Sequence, residues 1–219
     1  MEPRPQEAPQ VRPFRNRADA GTQIAAALAR REWTDPVVYG LARGGLPVAA
    51  PVAEELHAPL ELLVARKIGA PGQPELGLGA VAADGPPYFD RAGLRALRLT
   101  PEDVARQVDH ARTEARDQVR RYLGSRVPHS PAGHDVVVVD DGVATGGTAI
   151  AALRALRSHA PLRLLFAAPV GAPSALDKLA READEVVCLR EPEDFRAVGE
   201  FYADFSPTSD AEVLALVPR

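Results

Sequence analysis

This sequence predicts an α/β fold, a doubly wound and mostly parallel sheet, and three observations carry the prediction. Two short apolar runs, Val37–Leu41 and Val136–Val139, have the length and character of strands buried on both faces. Each is followed by a glycine-bearing turn and then by a stretch with helical apolar spacing. The alternation of strand and helix continues to about residue 190, which implies right-handed crossovers between parallel strands. Two additions to that plan are expected: an inserted helical arm over residues 91–126, and an aromatic-rich C-terminal segment over residues 191–219.

The elements follow in order. Residues 1–13 (MEPRPQEAPQVRP) are proline-rich and polar and read as a disordered tail, leaving 14–219 as the domain. Phe14–Asn16 is its entry point. Residues 18–31 carry a helical pattern, with Ile24 and Leu28 four apart, and Pro36 ends that region. After the strand Val37–Leu41 comes the turn Ala42-Arg43-Gly44-Gly45. A helix follows, LPVAAPVAEEL, which tolerates Pro47 in its first turn. Residues 59–65 (PLELLVA) form the next strand, running into Arg66-Lys67. Residues 68–87 (IGAPGQPELGLGAVAADGPP) are rich in Gly and Pro, and they are read as a long polar loop of the lid type.

Within the arm, Thr100 stands before Pro101-Glu102-Asp103 as a helix start. Val104, Val108, Ala111, Ala115 and Val119 make a thin apolar stripe on a heavily charged helix. Its arginines are read as a solvated face, with a homodimer contact as the alternative, and His110 as exposed. The polar loop 128–135 carries His129 and His134, neither with metal-ligand company. Beyond the central helix come a strand over 162–170, a helix over 173–181, a strand over 185–189 and a closing helix over 208–217 capped by Thr208 or Ser209.

Composition excludes several classes. With 46% hydrophobic and 26% charged residues, the chain of 219 residues is of the soluble globular kind. A formal net charge of −4 argues against general nucleic-acid binding. No apolar run approaches a membrane span, and the N-terminus lacks the apolar core of a signal peptide. Cys188 stands alone in the apolar context VVCL, so it is read as a buried strand residue outside any disulfide framework. Together these features point to the cytoplasm. Pro, Arg and Ala are heavily used while Lys is scarce, a bias assigned to codon usage rather than to physics.

The stretch that organises the chain is Val136 to Thr148, VVVVDDGVATGGT. Asp140 and Asp141 fall at the carboxyl end of a strand, where open α/β sheets bind ligands. Gly142, Gly146 and Gly147 free the backbone, Thr145 and Thr148 bring hydroxyls, and the turn delivers N–H groups to the mouth of a helix. Two carboxylates for hydroxyls beside an amide cradle for an anion suit a sugar phosphate. No Walker sequence is present, and no G-x-G-x-x-G follows any strand. The turn at Arg43, Gly44 and Gly45 repeats the arrangement, and Arg43 adds a fixed charge.

An apolar strand, two acids and a T-G-G-T loop resemble the motif of type I phosphoribosyltransferases. By that resemblance the ligand is 5-phosphoribosyl-1-diphosphate (PRPP). Asp140 and Asp141 would hold the ribose hydroxyls as catalytic groups, and Ala144, Thr145, Gly146, Gly147 and Thr148 would wrap the 5′-phosphate. Arg43, Gly44 and Gly45 match the loop that binds diphosphate. Arg66 and Lys67 resemble the pair that opens the family's closing loop, with diphosphate as their target, and Glu75 is a weaker candidate, for a metal contact or simply for a place facing water. The segment 191–219 resembles a hood, in which Phe195 would stack on the acceptor, with simple core packing as the alternative, and Asp204 would reach a metal. The implied cofactor is Mg²⁺, held mostly through PRPP, and the acceptor is a nucleobase or another nitrogen heterocycle. Where several purine-salvage members carry an aspartate just before the T-G of the phosphate loop, this chain has Ala144, which removes one candidate acid or base. The alternative function is a PRPP-binding regulator that has lost turnover.

Overall fold

The computed structural model describes residues 12–217; most of the expected tail lies outside the described residues. Strands β1 (Val37–Leu41), β2 (Leu60–Leu63), β6 (Asp135–Val139), β7 (Arg163–Val170) and β8 (Glu185–Arg190) form one parallel sheet in the order β2-β1-β6-β7-β8. Every residue of β1 and β6 is buried, as continuous apolar runs require when helices cover both faces. Successive side chains point to opposite faces. Val38, Leu62, Val137, Val139 and Leu165 therefore pack under α1 (Arg17–Leu28), α2 (Gly45–Glu55) and α7 (Asp210–Leu216). Val37, Tyr39, Val136, Val138 and Phe166 pack under α5 (Gly147–Arg157) and α6 (Pro173–Leu179).

Connectivity matters for function. From β1 the chain moves to β2 on one side, then returns through β6 on the other and runs on to β7 and β8. The strand order thus reverses between β1 and β6. Their two carboxyl-terminal loops face each other across the crevice where this architecture places ligands.

The segment 68–87 departs from the expectation of a polar loop. β3 (Ala65–Ala70), β4 (Gln73–Ala82) and β5 (Tyr88–Phe89) form an antiparallel three-stranded sheet. Ile68, Ala70, Leu78, Ala80, Val81 and Ala82 are buried. Glycines at Gly69, Gly77 and Gly79 masked the alternation; the first two lie at or beside an irregularity in strand register, and at Gly79 a Cβ would collide with the Tyr88 carbonyl.

α4 (Ala105–Leu123), with a short α3 (Arg91–Ala96) before it, closes the outer face of this small sheet. Val108 and Ala111 meet Ile68 and Val81, so the thin stripe is buried within the chain itself. At its start the Thr100 N–H and hydroxyl both donate to Asp103, at 2.8 and 3.0 Å, and a 3-10 turn leads into the helix. His110 is exposed, as expected. Cys188 is only half-buried, because β8 is an edge strand covered incompletely; burial still pushes its thiol up to about 11.

The two ends of the fold meet. Phe14 is fully buried, its N–H bonds the Phe201 carbonyl at 2.8 Å, and its carbonyl accepts from Ala203 at 2.7 Å. Ser209 caps α7 reciprocally with Glu212, which settles the choice of cap.

Candidate functional site

The crevice is assembled from the β1–α2 turn and the β6–α5 turn. Gly146 stands at the cap of α5 with φ of +79°, a left-handed backbone that glycine adopts without penalty. The first N–H groups of α5 have no carbonyl within the helix to bond and open toward the turn. Ala144 and Thr145 are exposed, and Gly147 and Thr148 are half-buried. The loop is sewn in place by Val143, whose N–H bonds the Val170 carbonyl at 2.9 Å and whose carbonyl accepts from Ala172 at 2.8 Å. Such fixed dipoles at a helix mouth suit a phosphate group.

The β1–α2 turn touches the acids directly. A Cβ on Gly45 would stand 2.5 Å from the Val139 carbonyl oxygen, and one on Gly44 would overlap the Asp141 carboxylate. The Ala42–Arg43 peptide is cis. Gly44→Ala should fold with the Asp141 carboxylate displaced, and should bind a ligand held by that carboxylate roughly tenfold more weakly, the loss of one charge-assisted hydrogen bond. Calorimetric titration checks this, and an unchanged affinity would show that the turn does not hold Asp141 in register.

Asp140 and Asp141 do different work. Burial, then the neighbouring Asp141 charge, push the Asp140 carboxyl well above the usual carboxylate range, although it accepts the Asp141 N–H at 2.9 Å. Asp141 is ion-paired: Arg17 Nε donates to its Oδ2 at 2.8 Å. The same guanidinium donates to the Ser206 carbonyl at 2.7 Å and lies 3.9 Å over the Phe205 ring. The Tyr202 hydroxyl donates to the Asp141 carbonyl at 2.6 Å. Arg17 and Tyr202 escaped the sequence reading, since nothing local ties residues so distant along the chain to the acid pair.

Strand alternation separates Arg66 from Lys67. Arg66 pairs in register with Val81 and faces α4, where it stands 3.9 Å from Glu114. With Arg43 it borders a cavity of about 380 Å³ that also includes Arg121, Tyr122 and Asp210. Asp210 holds Arg43 at 3.4 Å, Arg121 at 3.2 Å and the Tyr122 hydroxyl at 2.5 Å. Lys67 pairs in register with Ala80 and borders a different cavity, of about 280 Å³, together with Thr145, Gly147 and Thr148. Glu75 borders that cavity as well.

In the C-terminal segment the rings of Phe195 and Phe201 are stacked, centroids 5.8 Å apart and 14° between planes, so one face of Phe195 is already covered. Asp204 is exposed and accepts from the Ser206 N–H and hydroxyl at 3.0 and 2.7 Å. Those two bonds hold its carboxyl below the usual range. Val198 reaches the acid pair's own loop, filling the space where a Gly142 side chain would be.

A second polar centre was missed. Glu61, fully buried in β2, takes a two-pronged pair from Arg126 and a 2.7 Å contact from His129 Nδ1, while the Tyr39 hydroxyl donates to the His129 carbonyl at 2.7 Å. A lone acid within the run PLELLVA was the available signal. His134 meets the Asp35 carbonyl at 2.9 Å.

An open parallel sheet carries an amide loop and an acid pair at its switch point, where this architecture places ligands. Comparison with known proteins gives the family: residues 10–206 match the model described as "Phosphoribosyl transferase domain", and the chain belongs to that family. It is 41% identical over 206 residues to "Putative phosphoribosyl transferase Rv0571c" of Mycobacterium tuberculosis, covering 94% of this chain and 46% of that protein. The chain thus spans about half the length of the curated relatives it matches. The crystal structure of TT1426 from Thermus thermophilus superposes with a TM-score of 0.80 at 41% identity, covering 94% of this chain and 98% of that one. The AQ2163 protein of Aquifex aeolicus, 16% identical with a TM-score of 0.51 over 92% of this chain and 86% of that one, shares the fold.

Proposed function

We propose that this chain transfers the 5-phosphoribosyl group of PRPP to a nitrogen acceptor and releases diphosphate. The observation that supports it best is the meeting of three features at one crevice: the amide loop Ala144–Thr148, the Asp140–Asp141 pair, and the Arg43–Gly45 turn in contact with those acids. In the reaction the C1′–O bond to diphosphate breaks, its electron pair leaving with the diphosphate. The acceptor nitrogen then forms the C1′–N bond and gives up its proton to solvent or to a nearby base. The amide loop binds the 5′-phosphate and fixes the sugar, while the acid pair orients the 2′ and 3′ hydroxyls and faces the positive charge that develops at C1′. Arg43 and Arg66, which border one cavity, would supply cations to the departing diphosphate.

Among the described residues no group of three or more His, Cys, Asp or Glu is arranged to hold a metal. A Mg²⁺ would therefore be held chiefly by oxygens of the donor, with the Asp140–Asp141 pair as the nearby carboxylates. Such an ion would act as a Lewis acid and template on the diphosphate. Among the described residues no helix is long and apolar enough to cross a membrane, and the proposed setting is the cytoplasm.

The deciding experiment incubates the protein with Mg²⁺ and PRPP across a panel of nucleobases and other nitrogen heterocycles and measures diphosphate release. Release with at least one acceptor is expected. Tight PRPP binding without release for any acceptor would leave a regulator that senses PRPP, and absence of binding would refute both readings.

A further inference from the structure

Among 26 basic residues this chain has 24 arginines and only two lysines, Lys67 and Lys178. They are 111 positions apart and on unrelated elements, β3 and α6, yet both border the same cavity at the Thr145–Thr148 loop. Each is placed there by its element. Lys67 pairs with Ala80, and Ala65, Ala80 and Ala82 pack toward α5, so alternation sends Lys67 to the α5 side of the hairpin. On α6, Ala175 lies against Gly146, with 3.7 Å from its Cβ to the position a Gly146 Cβ would take. Lys178 is three residues on, hence on the same helix face one turn later. Tyr88 closes the cavity from the hairpin, its ring 3.8 Å from where a Gly147 Cβ would stand.

The surroundings leave both ammonium groups available. Among the described residues neither lysine has a carboxylate within 4.0 Å, whereas Arg17, Arg43, Arg66, Arg126 and Arg154 are all paired. Asp90 also borders the cavity, but it is engaged as the cap of α3, accepting the Ala92 N–H at 3.1 Å. Lys67 further borders a cleft with His110 and Glu114 on the α4 side. A lysine is a compact charge with three rotatable donors, suited to the tetrahedral oxygens of a terminal phosphate.

We infer that Lys67 and Lys178 form a second, cationic wall of the 5′-phosphate site, so that the adjacent pair Arg66-Lys67 is divided between the two ends of one donor. Arg66 serves the diphosphate with Arg43, and Lys67 serves the sugar phosphate with Lys178. This rests on the proposed binding of PRPP, and it sets the substrate preference: a 5-phosphorylated pentose is held from both sides, and its dephosphorylated counterpart is excluded.

The test compares three probes by calorimetry in Mg²⁺ buffer: ribose 5-phosphate, PRPP and inorganic diphosphate. Lys67→Met and Lys178→Met should each weaken ribose 5-phosphate and PRPP by a similar factor, roughly tenfold, and leave diphosphate unchanged. Arg43→Met and Arg66→Met should weaken PRPP and diphosphate but spare ribose 5-phosphate. Lys178→Arg should restore most of the loss. As a readout independent of mutation, ribose 5-phosphate should protect both lysines from acetylation by an amine-reactive ester, followed by mass spectrometry, and diphosphate should protect neither. If Lys67→Met behaves like Arg66→Met, or if both lysine variants bind ribose 5-phosphate as the parent does, the inference is overturned while the PRPP reading survives. If the unaltered protein binds neither ribose 5-phosphate nor PRPP, both fall.

Discussion

Replacing Asp140 and Asp141 together by asparagine should weaken PRPP binding by about 100-fold, the loss of two hydrogen bonds to carboxyl acceptors at roughly 1.5 kcal/mol each. The shape of the crevice survives the change, because asparagine occupies the same volume and the Asp141 backbone stays anchored by the Tyr202 hydroxyl. On the proposed reading, what disappears is the acceptor capacity that would meet the ribose hydroxyls. Arg17 loses its charged partner, so a modest fall in stability should accompany the effect. Circular dichroism separates the two consequences: an unchanged spectrum with weakened binding is the expected result. Normal PRPP affinity in the double variant would refute the ribose assignment.

Glu61→Gln should cost about 3 kcal/mol of stability, at the low end of what breaking a buried ion pair removes, and lower the melting temperature by roughly 10 °C for a domain of this size. The carboxylate is wholly buried, and its two oxygens are shared between the Arg126 guanidinium and the His129 ring and N–H. Glutamine cannot accept from all of them, and it leaves a largely buried guanidinium without a counter-charge. Burial works to raise the Glu61 pKa, but the Arg126 and His129 hydrogen bonds outweigh it and hold the group below the usual carboxylate range.

The sign of the pH dependence follows. A depressed carboxyl contributes in full above its unfolded value of about 4.3, and the contribution is lost as pH falls through the lower folded value. The urea midpoint of the parent should therefore exceed that of the variant at neutral pH, and the gap should shrink below about pH 4. A gap that stays constant into acid would assign the destabilisation to packing rather than to charge. PRPP affinity of the folded variant should be unaltered, since none of Glu61's partners borders the cavities at the two glycine turns.

The central strands, both glycine turns and the acid pair were legible because each depends on neighbours within a few positions. An apolar run, a glycine bend and a helix start are local events, and β1 was located to the residue. The hairpin of β3, β4 and β5 was not legible. Its glycines interrupt the alternation that announces a strand; the burial of Ile68 and Val81 depends on α4, which arrives some 25 residues later, and that of Leu78 on Leu94 and Val104 ahead of that helix. The Phe195 ring illustrates the same limit: its aromatic character was plain, while the Phe201 ring that covers one face was a matter of packing.

Sequence by itself determined the fold class, the succession of parallel strands and covering helices and the two turns that make the crevice, since periodicity and backbone freedom are written in short stretches of chain. Tertiary structure alone decided that Arg17 neutralises Asp141, that Glu61 anchors a buried charge cluster, and that adjacent Arg66 and Lys67 face different cavities. The physical reason is distance along the chain. Ion pairs and cavity walls join residues tens to more than a hundred positions apart, and no local pattern records which of them will meet.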